Sequence, residues 1–179
     1  MKEFDRRRRI AALTQLGMDL YGRARFGEAL NRMEDALALN AVYERALRGK
    51  ALCLTQLGRA QEALAVAELA LERYPESGLN YSTRGLCLHR AGRSAEAEAD
   101  FERAVELAAE DYRVYYNYAC FWAERGDEER CRRYFGYALE AAPENFAYVP
   151  PADPDLARYS RREWFLDLLA HLKQRAQSS

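Results

Sequence analysis

Two histidines and four cysteines are the side chains in this 179-residue chain best suited to metal binding or nucleophilic chemistry. Their spacing serves neither. His89 follows Cys87 by two residues, and at about 100° per helical residue the two side chains diverge by roughly 200°, too far to share an ion. Cys53, Cys87 and Cys131 fall where small apolar residues recur, which points to core packing. Four cysteines suffice for two disulfides, but with no secretory context they are expected to be thiols. There is no Walker loop and no G-x-G-x-x-G. The carboxylates stand among Arg and Lys neighbours, as on solvated helix faces. The chain is therefore expected not to be an enzyme and to hold no metal or cofactor.

The elements that must position any other kind of site are read from an internal period. KALCLTQLGRAQEALAVAELALER, residues 50–73, and RGLCLHRAGRSAEAEADFERAVEL, residues 84–107, share one grammar 34 residues apart. Repeats are placed at 10–43, 44–77, 78–111 and 112–145. Position 8 reads Gly17, Ala51, Gly85 and Ala119; position 20 reads Ala29, Ala63, Ala97 and Cys131; position 27 reads Ala36, Ala70, Ala104 and Ala138. Larger residues hold position 4 (Leu13, Leu47, Tyr81, Tyr115) and position 11 (Leu20, Leu54, Leu88, Trp122). Gly58, Gly92 and Gly126 mark a turn in mid-repeat, with Ala24 as the exception, and Pro75 and Pro143 close repeats two and four. Each repeat thus reads as two helices, A and B, of about 12–14 residues. Small columns let helices approach and large ones fill the space between. One repeat cannot bury its apolar face alone, whereas a stack buries a continuous core.

The period and its L/Y-x-x-x-G/A and A-x-x-x-F-x-x-A-L patterns resemble the tetratricopeptide repeat over residues 10–145. The resemblance implies an all-α fold: a right-handed superhelical α-solenoid of four helix-turn-helix repeats with a C-terminal capping helix. Position 7, usually leucine in that family, is Lys50, Arg84 and Tyr118 in the later repeats. The two cations are expected to lay their stems along the core.

The resemblance also implies a concave groove lined by the A helices at positions 2, 5, 9, 12 and 13. Carried onto this chain, repeat one offers Ala11, Thr14, Met18 and Tyr21, and repeat two Arg45, Arg48, Leu52, Thr55 and Gln56. Repeat three offers Leu79, Ser82, Leu86, His89 and Arg90. Repeat four offers Arg113, Tyr116, Cys120 and Glu124, with Asn117 beside them. Cys120, facing the groove, is expected to be the most reactive cysteine. Basic and apolar groups dominate this lining, which suits an acidic protein or peptide segment with apolar anchors. The family's carboxylate clamp fits poorly: Arg48 and Arg113 fill two cationic positions, but Leu52 and Thr83 stand where asparagines belong, and Asn117 replaces a third cation.

The flanks read differently. Residues 1–9 form a charged leader whose Arg6–Arg9 run is a solvated first turn, with Glu3 and Asp5 offsetting its clash with the helix dipole. Residues 146–159 are a proline-rich loop in which Asp153-Pro154 fits an N-cap opening one turn over 155–159. Ser160-Arg161-Arg162-Glu163 matches a capping box at the start of a final segment, 160–179. Behind it, a helix over 161–175 gathers Trp164, Phe165, Leu168, Leu169 and Leu172 on one face, expected to cover the end of repeat four.

With 27 basic and 28 acidic residues the net charge is −1. That balance argues against a nucleic-acid partner and leaves room for self-association. No apolar run approaches the roughly 20 residues of a membrane span, and MKEFDRRRRIAAL lacks a signal-peptide core, so a cytoplasmic protein is expected. The leading reading is a protein-interaction scaffold. The alternatives are a self-assembling structural module, hence a homo-oligomer, and a small secretion chaperone of the same repeat family.

Overall fold

After the first helix, the helix starts of the repeats recur with the 34-residue period of the sequence. In a computed structural model that describes residues 3–142 and 156–177, the A helices are α1 (Glu3–Gly22), α3 (Glu44–Gln56), α5 (Gly78–Arg90) and α7 (Tyr112–Arg125). The B helices are α2 (Phe26–Leu39), α4 (Ala60–Arg73), α6 (Ser94–Leu107) and α8 (Glu128–Ala141). A short 3₁₀ turn (Ala157–Tyr159) and α9 (Glu163–Gln177) follow. The fold is an all-α solenoid of helical repeats, with no strand among the described residues. None of these helices is long and apolar enough to cross a membrane.

The mid-repeat turn is built the same way each time. Ala24, Gly58, Gly92 and Gly126 adopt left-handed backbone at φ 56°, 73°, 80° and 76°. Their amides bond the carbonyl three residues back, and the next amide bonds five back: Arg25 to Leu20, Arg59 to Leu54, Arg93 to Leu88 and Asp127 to Trp122, at 2.9–3.0 Å. This is the Schellman closure, which satisfies the last carbonyls of each A helix. Left-handed backbone costs an L-residue about 1 kcal/mol, and glycine none. Ala24→Gly should therefore stabilise the protein by about 0.5–1 kcal/mol, read as a raised urea midpoint.

The residue after the turn opens the B helix and carries a charge. Arg25, Arg59 and Arg93 each pair with a glutamate three residues on, Glu28, Glu62 and Glu96, at 2.5–2.7 Å. Hydrogen bonds from the guanidinium hold each of these carboxyls below its usual range. The fourth turn reverses the polarity: Asp127 accepts from the Arg130 amide at 3.0 Å, a true side-chain N-cap.

The helices form two compact units that divide within α6, between Arg103 and Ala104. In the first, α1 packs on α2, α2 on α3, α3 on α4 and α4 on α5. The A helices also touch in sequence, α1 with α3 and α3 with α5. The small columns sit in these contacts. Ala29, Ala36, Ala51, Ala63, Ala70 and Ala97 are buried, and a Cβ on Gly85 would stand 3.0 Å from the Phe101 ring. At position 7 the charged ends of both cations meet carboxylates: Lys50 reaches Glu34 at 2.9 Å, and Arg84 grips Asp100 through two 2.7 Å bonds.

The charged leader is itself helical: α1 begins at Glu3, with Arg7 and Arg6 reaching its carboxylate at 3.0 and 3.4 Å. Its residues 3–9 are exposed, as a solvated turn should be.

In the second unit α7 packs on α8 and α8 on α9. Phe135 and Phe165, both fully buried, stack with centroids 4.9 Å apart and planes 2° apart. Trp164 Nε1 donates to Glu128 at 2.8 Å and Arg175 to the Leu139 carbonyl at 3.0 Å. The last helix therefore covers α8, the element that ends repeat four. Its start differs from the capping-box reading. Ser160 lies in helical backbone and donates to the Ala157 carbonyl at 2.8 Å, closing the 3₁₀ turn, so the helix opens at Glu163. The Pro143 stop and the Asp153-Pro154 cap lie outside the described residues.

Candidate protein-interaction surface

Short side chains at the expected groove positions turn inward. Thr14 Oγ1 donates to the Ile10 carbonyl at 2.8 Å and Thr55 Oγ1 to Ala51 at 2.9 Å, each four residues back on its own helix. A hydroxyl so engaged lies against the backbone and offers little surface. Thr14, Thr55 and Ser82 are accordingly buried. They form the floor on which the longer neighbours stand.

Those longer residues are half-buried and belong to three adjacent A helices of the first unit. Met18 comes from α1, Leu52 from α3 and Leu86 from α5, all at position 9. Tyr21, Gln56 and His89 run beside them at positions 12 and 13. Gln56 donates to the Tyr21 hydroxyl at 3.3 Å, linking α3 to α1, and His89 Nδ1 lies 3.0 Å from Ser94 Oγ. On the other side stand Arg45 and Arg48, positions 2 and 5 of α3. Arg48 contacts Glu44 at 3.4 Å, and Glu44 also accepts from the Ser77 hydroxyl at 2.6 Å. Arg45 is exposed and donates to Gln15 at 2.6 Å, a neutral partner. Glu44 was missed as part of this surface. Its signal is the four-residue spacing to Arg48, which sets both on one helix face.

The residues expected from repeat four lie in the second unit. Arg113 is exposed and held by Asp111 through bonds of 2.8 and 2.5 Å. Tyr116 and Asn117 are half-buried, Tyr116 with its ring 6.5 Å from that of Phe135. Cys120 is only 4% exposed, against its reading as an accessible thiol. Its short side chain does not clear the larger Tyr116 and Glu124 one turn to either side.

All four cysteines are buried thiols. Thr55 Oγ1 lies 3.4 Å from Cys87 Sγ. Burial pushes the thiols of Cys53 and Cys131 up to about 12 and that of Cys87 to about 11. At pH 8 roughly a thousandth or less of each is the reactive thiolate. A disulfide exchange reagent should therefore label no cysteine in the native protein and four after unfolding. The folded values lie above the ordinary thiol value of roughly 8.5, so the folded state holds its protons more tightly. The stability this represents is intact below pH 8.5 and is lost as pH climbs towards 11 and 12.

The comparisons with known proteins agree with the repeat geometry. Models of the tetratricopeptide repeat match residues 14–78 and 80–111, together more than half of the chain. No curated protein is a significant match to the sequence. Among solved structures, the first tetratricopeptide domain of human RPAP3 superposes with a TM-score of 0.56 at 16% identity, over 74% of this chain and 94% of that one. MamA from Desulfovibrio magneticus RS-1 gives 0.53 at 19%, over 74% and 75%. The Yersinia enterocolitica type III secretion translocator chaperone SycD also gives 0.53 at 19%, over 72% and 90%. At these identities the likeness is one of fold.

Proposed function

The chain belongs to the tetratricopeptide repeat family, and from that premise we propose that it is a non-catalytic scaffold holding a segment of a protein partner across the A helices of its first unit. One observation carries the reading. Met18, Leu52 and Leu86 stay partly open at equivalent positions of α1, α3 and α5, while the small columns on the same helices are fully used in packing. Partly open apolar side chains in a row, beside polar side chains and a cationic edge, are what a polypeptide segment needs. The exposed Arg45, bonded to a neutral side chain, favours a segment carrying acids.

A variant with Arg45→Glu and Leu52→Gln removes the cation and the central apolar contact without touching the small columns. Its melting temperature should stay close to wild type, and the partners recovered by the wild-type protein should be lost. Undiminished recovery by a folded variant would place binding on another face.

A second observation favours self-assembly. Phe4 and Leu16, at separate points on α1, are 67% and 48% exposed. Sedimentation across a hundredfold range of concentration separates the readings, because a strict monomer removes this one. The secretion-chaperone alternative has only the shared fold with the Yersinia chaperone in its support.

A further inference from the structure

A face that α3 and α5 bury is open on α1. Ala46, Gly49 and Cys53, at positions 3, 6 and 10 of α3, are buried. The helix before it, α2, packs there, and a Cβ on Gly49 would stand 2.5 Å from Met33 Cε. Asn80, Thr83 and Cys87 are buried in the same way on α5, where Asn80 Nδ2 donates to the Ala70 carbonyl of α4 at 3.4 Å. In α1 these positions hold Ala12, Gln15 and Asp19, and all three are exposed. The helix is also longer than its counterparts, 20 residues against 13 in α3 and α5. Its residues 3–9 are exposed throughout. Most helical stability in proteins comes from burying one face, and this extension buries none of its own.

Arg8, Ala12, Gln15 and Asp19 follow one another at spacings of four, three and four. At 100° per residue they share a stripe about 60° wide, with the seam spacing of helices that pair along their length. The stripe carries opposite charges at its two ends. Arg8 lies over the Phe4 ring, 5.5 Å from its centre, and meets no carboxylate among the described residues. Asp19 accepts from Gln15 Nε2 at 2.9 Å and meets no cation among them.

Such a stripe complements itself only when reversed. Two copies running in the same sense would set like charges against each other. In opposite senses each Arg8 meets the partner's Asp19 and each Ala12 the partner's Gln15, the reciprocal pattern of a two-fold contact. Gln15 is already held by Asp19 and Arg45, and an alanine asks no further bond of it. Leu16 flanks the stripe, and this register sets its half-exposed side chain beside the partner's Ala12, a residue small enough to admit it. Phe4 comes beside the partner's Gly22, where an added Cβ would have nothing within 4 Å.

We propose that the α1 stripe is a homodimer surface: two copies of this chain pair through antiparallel α1 helices, each Arg8 on the partner's Asp19. This rests on the self-assembly reading above and names the surface that carries it.

Charge reversal tests it by sedimentation equilibrium of the full chain over a hundredfold range of concentration. Wild type should form a dimer. Arg8→Glu sets acid against acid and Asp19→Arg sets cation against cation. Each alone should weaken the dimer about tenfold or more, with an unchanged melting temperature because both positions are exposed. An equimolar mixture of the two variants should recover it, since every contact then joins opposite charges again. The double variant should recover it for the same reason. No recovery in the mixture would overturn the antiparallel register. A dimer indifferent to both substitutions would overturn the α1 surface and leave self-assembly to another face. A strict monomer at every concentration would overturn both.

Discussion

Phe165→Ala should detach α9 from α8 and cost the second unit about 3–5 kcal/mol, the range for truncating a fully buried phenylalanine. The ring is fully buried and lies face to face with Phe135, itself fully buried, so its loss opens a cavity against a flat aromatic surface that cannot collapse into it. The polar ties on either side do not substitute for it. The Trp164 bond to Glu128 and the Arg175 bond to the Leu139 carbonyl hold the ends of one face, each contributing about 1 kcal/mol net, or somewhat more where a charge is involved. The loss therefore has a ceiling. Once the cavity costs more than docking α9 returns, the helix leaves and α8 is exposed. The expected signature is a lower urea midpoint, faster proteolysis within 163–177 and loss of helical ellipticity before the main transition. Phe165→Leu, which keeps most of the apolar contact, should recover more than half of the loss. If Phe165→Ala unfolded in one transition at the wild-type midpoint, α9 would not be the cover that the stacking implies.

How much of this was legible in the sequence depends on whether one residue or a pair carried the signal. The first residues of α3, α5 and α7, at 44, 78 and 112, coincide with the expected repeat starts. Small columns at positions 8, 20 and 27 were legible for the same reason: a helix approach needs a missing side chain, and its absence shows in one letter. Ala24 was visible as an exception, but that it takes the same left-handed backbone as its glycine counterparts needed coordinates. At the expected groove positions, depth was not legible. Positions 5 and 9 are right for exposure only when the side chain is long. Arg48 and Leu52 stay within reach, whereas Thr14, Ser82 and Cys120 sink below their neighbours. Ser160 was misread because a capping box requires non-helical backbone at the serine, and the preceding 3₁₀ turn had already placed it in the helical region. Pairs were the least visible. Nothing in Arg84 alone says that Asp100, sixteen residues away on the facing helix, completes it.

That pair carries the second large effect. Arg84 grips Asp100 through two bonds of 2.7 Å between α5 and α6, where the aspartate side chain is 9% exposed and the arginine 29%. The Arg84 guanidinium also lies 5.6 Å from the centre of the Tyr81 ring. Removing one member of a buried pair strands the other charge, at about 3–5 kcal/mol when both are fully desolvated. Here the two halves are unequal. Arg84→Met leaves a nearly buried carboxylate without its cation and should cost about 2–4 kcal/mol. Asp100→Leu leaves a guanidinium that already reaches solvent and keeps Tyr81, so it should cost at least about 1 kcal/mol less. The double variant, Arg84→Met with Asp100→Leu, replaces the pair by apolar groups that fill similar volume. It should return to within about 1 kcal/mol of wild type, since a buried pair contributes little over well-packed hydrophobic residues. Urea titrations of the four proteins form a double-mutant cycle, and a coupling energy near zero would show that the bonds between α5 and α6 hold nothing together. A cost ordered the other way, with Asp100→Leu the worse, would mean that the guanidinium and not the carboxylate is the charge the interface cannot leave alone. The pair would then be the reason position 7 of this repeat tolerates a cation in place of the family's leucine: a residue unfit for the core made fit by one partner across the helix contact.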